Sequence, residues 1–126
     1  MKTIILTITI ITSLNLRAGD TTGTYQLIKD AGIKCPKIVY AQMMFESGYL
    51  DCTDCSWSNS NNPFGFFWKG KYIRFCHIED AIRYYKWWQG ELYKGGNYYT
   101  FLDRIGYATD PNYIKNLKQV YKSIFK

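Results

Sequence analysis

Pro36-Lys37-Ile38-Val39-Tyr40-Ala41-Gln42-Met43-Met44-Phe45-Glu46-Ser47-Gly48 is the stretch on which the fold turns. Proline suits a first helical position, where its missing N–H would have no partner in any case. Glycine suits the residue just past a helix end. A helix between them puts Val39, Met43 and Glu46 on one face. An apolar stripe therefore ends in a carboxyl near the negative end of a helix. Partial burial and the helix terminus both raise the pKa of such a group. A carboxyl held protonated near neutral pH is what a general acid requires. Taken alone, the segment also allows a glutamate at the edge of its stripe, solvated or paired with a lysine.

The flanking sequence supplies a body for this helix. Upstream, 24–31 reads as a short helix that Gly32 stops. Downstream, 49–62 is rich in Ser, Asn, Asp and Cys without a period, and reads as a loop. Phe64 to Phe75 is aromatic and β-branched around Lys69-Gly70-Lys71, which predicts a β-hairpin. Ile78, Ile82, Tyr85, Trp88 and Leu92 recur at helical spacing, with Glu79 and Asp80 in the first turn, where the helix dipole favours acids. Gly95-Gly96 breaks the chain. Asn97 can cap a short helix that runs through Ile105 and stops at Gly106. Asp110 and Pro111 suit the N-cap and first residue of a last helix, whose stripe is Ile114, Leu117, Tyr121 and Ile124 with Val120 beside it. The predicted fold class is α+β, mostly helical: about five helices and a small hairpin lobe, with a cleft between lobe and body into which Glu46 opens.

A chain of 126 residues implies one domain. Met1 to Ala18 has a short positive start and an apolar run too short for a comfortable bilayer span, and is expected to be a secretory signal, cut at Ala18-Gly19, or else retained as an anchor. The domain is then 19–126. Without Lys2 and Arg17 the formal charge falls from +6 to about +4. A basic surface suits an anionic cell-wall polymer, and no Lys/Arg cluster is dense enough to favour nucleic acid. Twelve Tyr and four Trp exceed what one small core hides, so several are expected to line a cleft, where aromatic faces suit sugar rings. Export would permit disulfides among Cys35, Cys52, Cys55 and Cys76, and the sequence does not choose their pairing. Cys52-Thr53-Asp54-Cys55 could instead be half of a zinc site, but the second half is absent, so no metal and no cofactor are expected.

Three stretches together carry a resemblance. Ala41-Gln42-Met43-Met44-Phe45-Glu46-Ser47-Gly48 resembles the A-Q-x-x-x-E-[ST]-G helix of bacterial glucosaminidase domains, the mannosyl-glycoprotein endo-β-N-acetylglucosaminidase-like family of the lysozyme-like superfamily. Asn61-Asn62-Pro63-Phe64-Gly65-Phe66 resembles that family's N-N-x-F-G segment, and Tyr107-Ala108-Thr109-Asp110-Pro111-Asn112-Tyr113 its Y-A-T-D-x-x-Y segment. The resemblance implies hydrolysis of the β-1,4 bond after N-acetylglucosamine in peptidoglycan, with Glu46 as general acid. It implies that Asn62, Phe64 and Gly65 shape the sugar site beside the hairpin, and that Tyr107 and Tyr113 face it from the other wall.

Most glycosidases use two carboxyl groups. Here the hairpin carries no acid, and Asp51, Glu79 and Asp80 are the nearest in sequence. The substrate's own N-acetyl group is the preferred substitute, a route some glycosidases take. Two other functions are compatible with the same residues: a lytic transglycosylase working with one glutamate, and an exported, non-catalytic glycan-binding module. In each case the expected partner is a peptidoglycan strand met outside the cytoplasm by a monomer.

Overall fold

Pro36 and Gly48 bound the central helix as their backbone chemistry requires. The computed structural model describes residues 21–126. Among them the helices are α1 (Thr21–Asp30), α2 (Pro36–Ser47), α3 (Ser56–Ser60), α4 (Ile78–Leu92), α5 (Tyr98–Arg104) and α6 (Tyr113–Ile124), and the strands are β1 (Phe67–Trp68) and β2 (Lys71–Tyr72). The fold is α+β and mostly helical, as the sequence predicts. The expected signal at 1–18 lies outside the described residues. Among the described helices none is long and apolar enough to cross a membrane.

α2 begins with Pro36 in its first turn and ends at Gly48, whose φ of 57° is left-handed and whose N–H closes on the Met44 carbonyl. It is not the one-sided stripe expected. Every residue from Val39 to Met44 is buried, because both α1 and α6 pack on it. A helix surrounded in this way has little polar face to show.

Asn62 explains the hairpin. Its side chain donates to the Phe66 carbonyl (2.8 Å) and the Ile73 carbonyl (3.0 Å), and accepts from the Phe66 N–H (3.0 Å). Asn62 thus takes the Phe66 N–H and the Ile73 carbonyl, which longer strands would have paired with each other, while the Ile73 N–H still donates to the Phe66 carbonyl (3.0 Å), and the ladder is shorter than expected. Phe67 pairs with Tyr72 and Trp68 with Lys71, around a Lys69-Gly70 turn with positive φ at both residues. Phe67, Trp68 and Tyr72 are exposed on this lobe.

Three local expectations need correction. The segment 49–62 is not all loop, for it contains α3. This short polar helix has no apolar period to announce it, and local bonds hold it: the Ser58 hydroxyl accepts from the Cys55 N–H (3.0 Å), and Trp57 donates to the Leu50 carbonyl (3.1 Å). α6 starts at Tyr113, not at Pro111. The Asp110 carboxylate accepts from the Asn112 N–H (2.9 Å) and so closes a turn of its own before the helix. The buried face of α4 is Ala81, Ile82, Tyr85 and Gln89, whereas Leu92 is 43% exposed. That face turns toward Gln89 because the buried amide has polar partners there.

Of the two acids in the first turn of α4, Asp80 makes a capping bond. Asp80 accepts from the His77 N–H (3.2 Å) and pairs with Arg83. Asn97 caps α5 by accepting from the Thr100 N–H (3.0 Å). Cys52 and Cys55 form a disulfide, while Cys35 and Cys76 are free thiols. Much of the aromatic surplus is core: Phe64, Phe66, Tyr85, Tyr93, Tyr98 and Phe101 are buried where the hairpin base meets α4 and α5.

Candidate active site

Glu46 occupies the last turn of α2, half-buried, where the chain must leave the core. Two neighbours define its surroundings. Gly65 lies so close that a Cβ built on it would stand 3.0 Å from Glu46 Oε2. Its φ of 69° is left-handed, so glycine serves here both for conformation and for room. The second neighbour is Tyr113, in the first turn of α6, which lines the same recess as Glu46 and whose hydroxyl accepts from Gln42, one turn before Glu46. Burial pushes the Glu46 carboxyl above its ordinary value of 4.5, and the Tyr113 hydroxyl pulls it partly back. Tyr113 is itself pushed up, first by burial and then by the Glu46 charge.

Tyr113 is held between two rings. Phe45 stacks on one side (centroids 5.4 Å apart) and Tyr107 on the other (5.8 Å). The Tyr107 hydroxyl donates to the Phe64 carbonyl (2.6 Å), tying the segment before α6 to the hairpin lobe. Burial, then Tyr113 and Glu46, push the Tyr107 phenol up, so it stays neutral.

The cleft has two sections. One, about 190 Å³, is lined by Phe45, Glu46, Ala108, Thr109, Asp110 and Tyr113. The other, about 250 Å³, runs between Gly65 to Phe67 on one wall and Trp88, Ile105 and Tyr107 on the other. Gly65 borders the second section and touches Glu46, so the two meet at the carboxyl. A neutral carboxylic acid at such a junction can donate a proton to a bond spanning both sections.

The residues singled out in the sequence divide by depth. Glu46, Gly65, Tyr107 and Tyr113 come together around one carboxyl. Asn62 and Phe64, expected to shape the sugar site, are both 0% exposed. They build the wall from behind: Asn62 through its three backbone bonds, Phe64 by packing on Tyr85 (4.6 Å) and by accepting from Tyr107. Of the acids, Asp51, Glu79 and Asp80 line neither section, and Asp110 does. Its place in the Y-A-T-D segment was the available signal, but helix-capping chemistry explained the residue first. Gln42 was also passed over. It is fully buried one turn before Glu46, donates to the Tyr113 hydroxyl (3.3 Å) and accepts from Tyr85. A polar residue inside an apolar helix was the sign of it.

Among the described residues no group of His, Cys, Asp and Glu could hold a metal ion.

A family model described as glucosaminidase, mannosyl-glycoprotein endo-beta-N-acetylglucosaminidase, matches residues 23–126. The chain belongs to the glucosaminidase family. No curated protein and no solved structure matches it. Membership makes the chain a glycosidase of the peptidoglycan-degrading type. The match spans all six helices save the first two residues of α1, so both walls of the cleft belong to the glucosaminidase domain.

Proposed function

We propose that this glucosaminidase domain hydrolyses the β-1,4 bond that follows N-acetylglucosamine in peptidoglycan, with Glu46 as the general acid. The observation that carries this is the carboxyl itself: half-buried, raised in pKa, and set where two sections of one cleft meet. A glycan strand laid along both sections presents its glycosidic oxygen to Glu46. Gly65 gives the chain room to approach, and Tyr113 holds the carboxyl in place. Tyr107 and the aromatic residues of the second section offer ring faces to sugars.

As the carboxyl gives up its proton, positive charge grows at the anomeric carbon. The substrate's N-acetyl oxygen is our choice for the group that meets it. Asp110 is the protein's alternative, since it lines the same section as Glu46. The setting of the reaction is extracytoplasmic. The Met1–Ala18 leader reading and the Cys52–Cys55 disulfide support export.

The deciding experiment is digestion of purified peptidoglycan followed by mass spectrometry of the fragments. Hydrolysis leaves reducing N-acetylglucosamine ends. Anhydro ends would mean that the single glutamate serves a lytic transglycosylase instead. Glu46→Gln keeps the shape of the side chain and removes the transferable proton, so turnover should fall by roughly 10²–10⁴-fold. Near wild-type turnover in that variant would overturn the assignment.

A further inference from the structure

A line of buried polar side chains runs from one end of α2 to the other. Lys34 lies just before α2, and Glu46 lies in its last turn, roughly 18 Å further along the axis. The Lys34 peptide group is bonded at both of its polar atoms by Gln89. Its N–H donates to Gln89 Oε1 (2.8 Å), and its carbonyl accepts from Gln89 Nε2 (2.9 Å). A peptide N–H can only donate and a peptide carbonyl can only accept, so the Gln89 amide has one permitted orientation. Its Nε2 then donates its second hydrogen to the Tyr98 hydroxyl (3.0 Å).

From there the direction passes on by counting hydrogens. Tyr98 has one hydroxyl hydrogen and receives from Gln89, so it donates to Tyr85, 2.6 Å away. Tyr85 now receives, and its own hydrogen goes to Gln42 Oε1. That fixes the Gln42 amide with Nε2 toward Tyr113, to whose oxygen it donates (3.3 Å). Tyr113 has one hydrogen left to give, and the Glu46 carboxyl is the acceptor that lines the same section of the cleft beside it. Gln89, Tyr98, Tyr85, Gln42 and Tyr113 are buried, the bonds to the Lys34 peptide are part-buried, and among the described residues no buried side-chain polar atom lacks a partner. In so dry a setting an incorrectly oriented link leaves an unpaired donor or acceptor, which makes the chain all-or-none.

We infer that the Lys34 peptide group sets, through Gln89, Tyr98, Tyr85 and Gln42, the direction in which Tyr113 donates, so that these four side chains are positioning residues for Glu46. This rests on the assignment of Glu46 as the acid. With Tyr113 always donating to one carboxyl oxygen, a neutral Glu46 carries its own proton on the other. The chain therefore selects the oxygen that delivers the proton. It also offsets part of the burial effect and keeps the acid from becoming too weak to give its proton away.

The test reads the Glu46 carboxyl directly, by carbon-13 NMR titration of glutamate-labelled full-length protein, with Glu46→Gln identifying the signal. The other titratable groups facing Glu46 are Tyr107, Tyr113 and Asp110. Tyr113→Phe removes the donor, and the Glu46 midpoint should rise by about half a pH unit or more. Tyr85→Phe removes an oxygen that makes no contact with Glu46. It leaves Gln42 free to turn its Oε1 to Tyr113 and compete for that hydrogen, so the midpoint should rise part of the way. Tyr93→Phe is the control: Tyr93 is equally a core tyrosine, but its hydroxyl donates to the Gly96 carbonyl, outside the chain. It should leave the midpoint alone. If Tyr85→Phe does not fold, Tyr98→Phe poses the same question one link further back.

In active protein, the alkaline limb of kcat/KM should move with the midpoint. A Tyr85→Phe midpoint equal to wild type would overturn the inference, and so would a Tyr93→Phe shift as large as that of Tyr85→Phe. The titration needs no turnover, so a wild-type protein that cleaves no peptidoglycan would sink the proposed function alone.

Discussion

Glu46 is half-buried, and among the described residues the one ion pair is Arg83 with Asp80. Its folded pKa therefore lies above its unfolded value, burial being the larger cause. Below the unfolded value of about 4.5 the carboxyl is neutral in both states. As pH rises through the folded pKa the buried group must ionise, and its contribution to stability is lost. Glu46→Gln escapes that loss. Thermal melts should show the variant gaining on wild type from pH 4 to pH 8, while its turnover is lower by the roughly 10²–10⁴-fold given above. A difference in melting temperature that is flat across that range would contradict the burial argument. Gly65→Ala tests the other side of the carboxyl. The added methyl group meets Oε2 and forces a left-handed backbone on alanine. Backbone strain of this kind costs on the order of 1 kcal/mol, and turnover should drop by far more than that loss explains. Circular dichroism melts beside single-turnover rates would separate the two.

One side chain attaches the hairpin at its base. Asn62→Ala leaves the Phe66 N–H and the Ile73 carbonyl unpaired, while the Phe66 carbonyl keeps its bond from the Ile73 N–H. At about 1–3 kcal/mol for each buried group left unpaired, the loss should be several kcal/mol or else a locally frayed hairpin. Hydrogen exchange at Phe66 tells these apart, and an unchanged protection factor with unchanged stability would refute the role. The same residue shows how far the elements were legible. α2 could be read because its ends are governed by backbone chemistry peculiar to Pro36 and Gly48. α3 could not, since it has five residues, no apolar period, and bonds to Leu50 and Cys55 that exist only after folding. Asn62 and Phe64 were found by their motif, but a motif does not say which way a residue faces, and both face inward. Asp110 was read as a helix cap because its chemistry suits one, and it spends that chemistry on the turn before α6.

At the scale of the whole molecule, the helical body and its small lobe followed from periodicity, and the aromatic count was split between core and cleft. Of the pairings the sequence leaves open, the structure has the one with the shortest loop. A bridge between residues far apart in the chain would restrict the unfolded state strongly, whereas Cys52–Cys55 has a sequence separation of 3. Closing so short a loop contributes roughly 2 kcal/mol in the chain-entropy picture. Reduction should therefore lower the melting temperature by on the order of 10 °C and leave the fold intact, because the core packs around α2 and not around the bridge. Unfolding at room temperature on reduction would mean that the bridge, and not the core, holds the loop after Glu46.

The exposed hairpin has an optical consequence. Trp68 is 66% exposed and Trp87 57%, whereas Trp57 and Trp88 are partly covered. Native emission is thus a mixture of two wet indoles and two drier ones. Unfolding changes the surroundings of the second pair most, so a fluorescence melt will show a modest red shift that understates the transition. Quenching by acrylamide divides along the same line, with Trp68 and Trp87 lost first and Trp57 and Trp88 persisting. Because Trp88 lines the cleft, the emission that survives the quencher comes in part from the substrate's path. Light recorded under partial quenching is therefore the natural signal by which to watch a glycan strand enter.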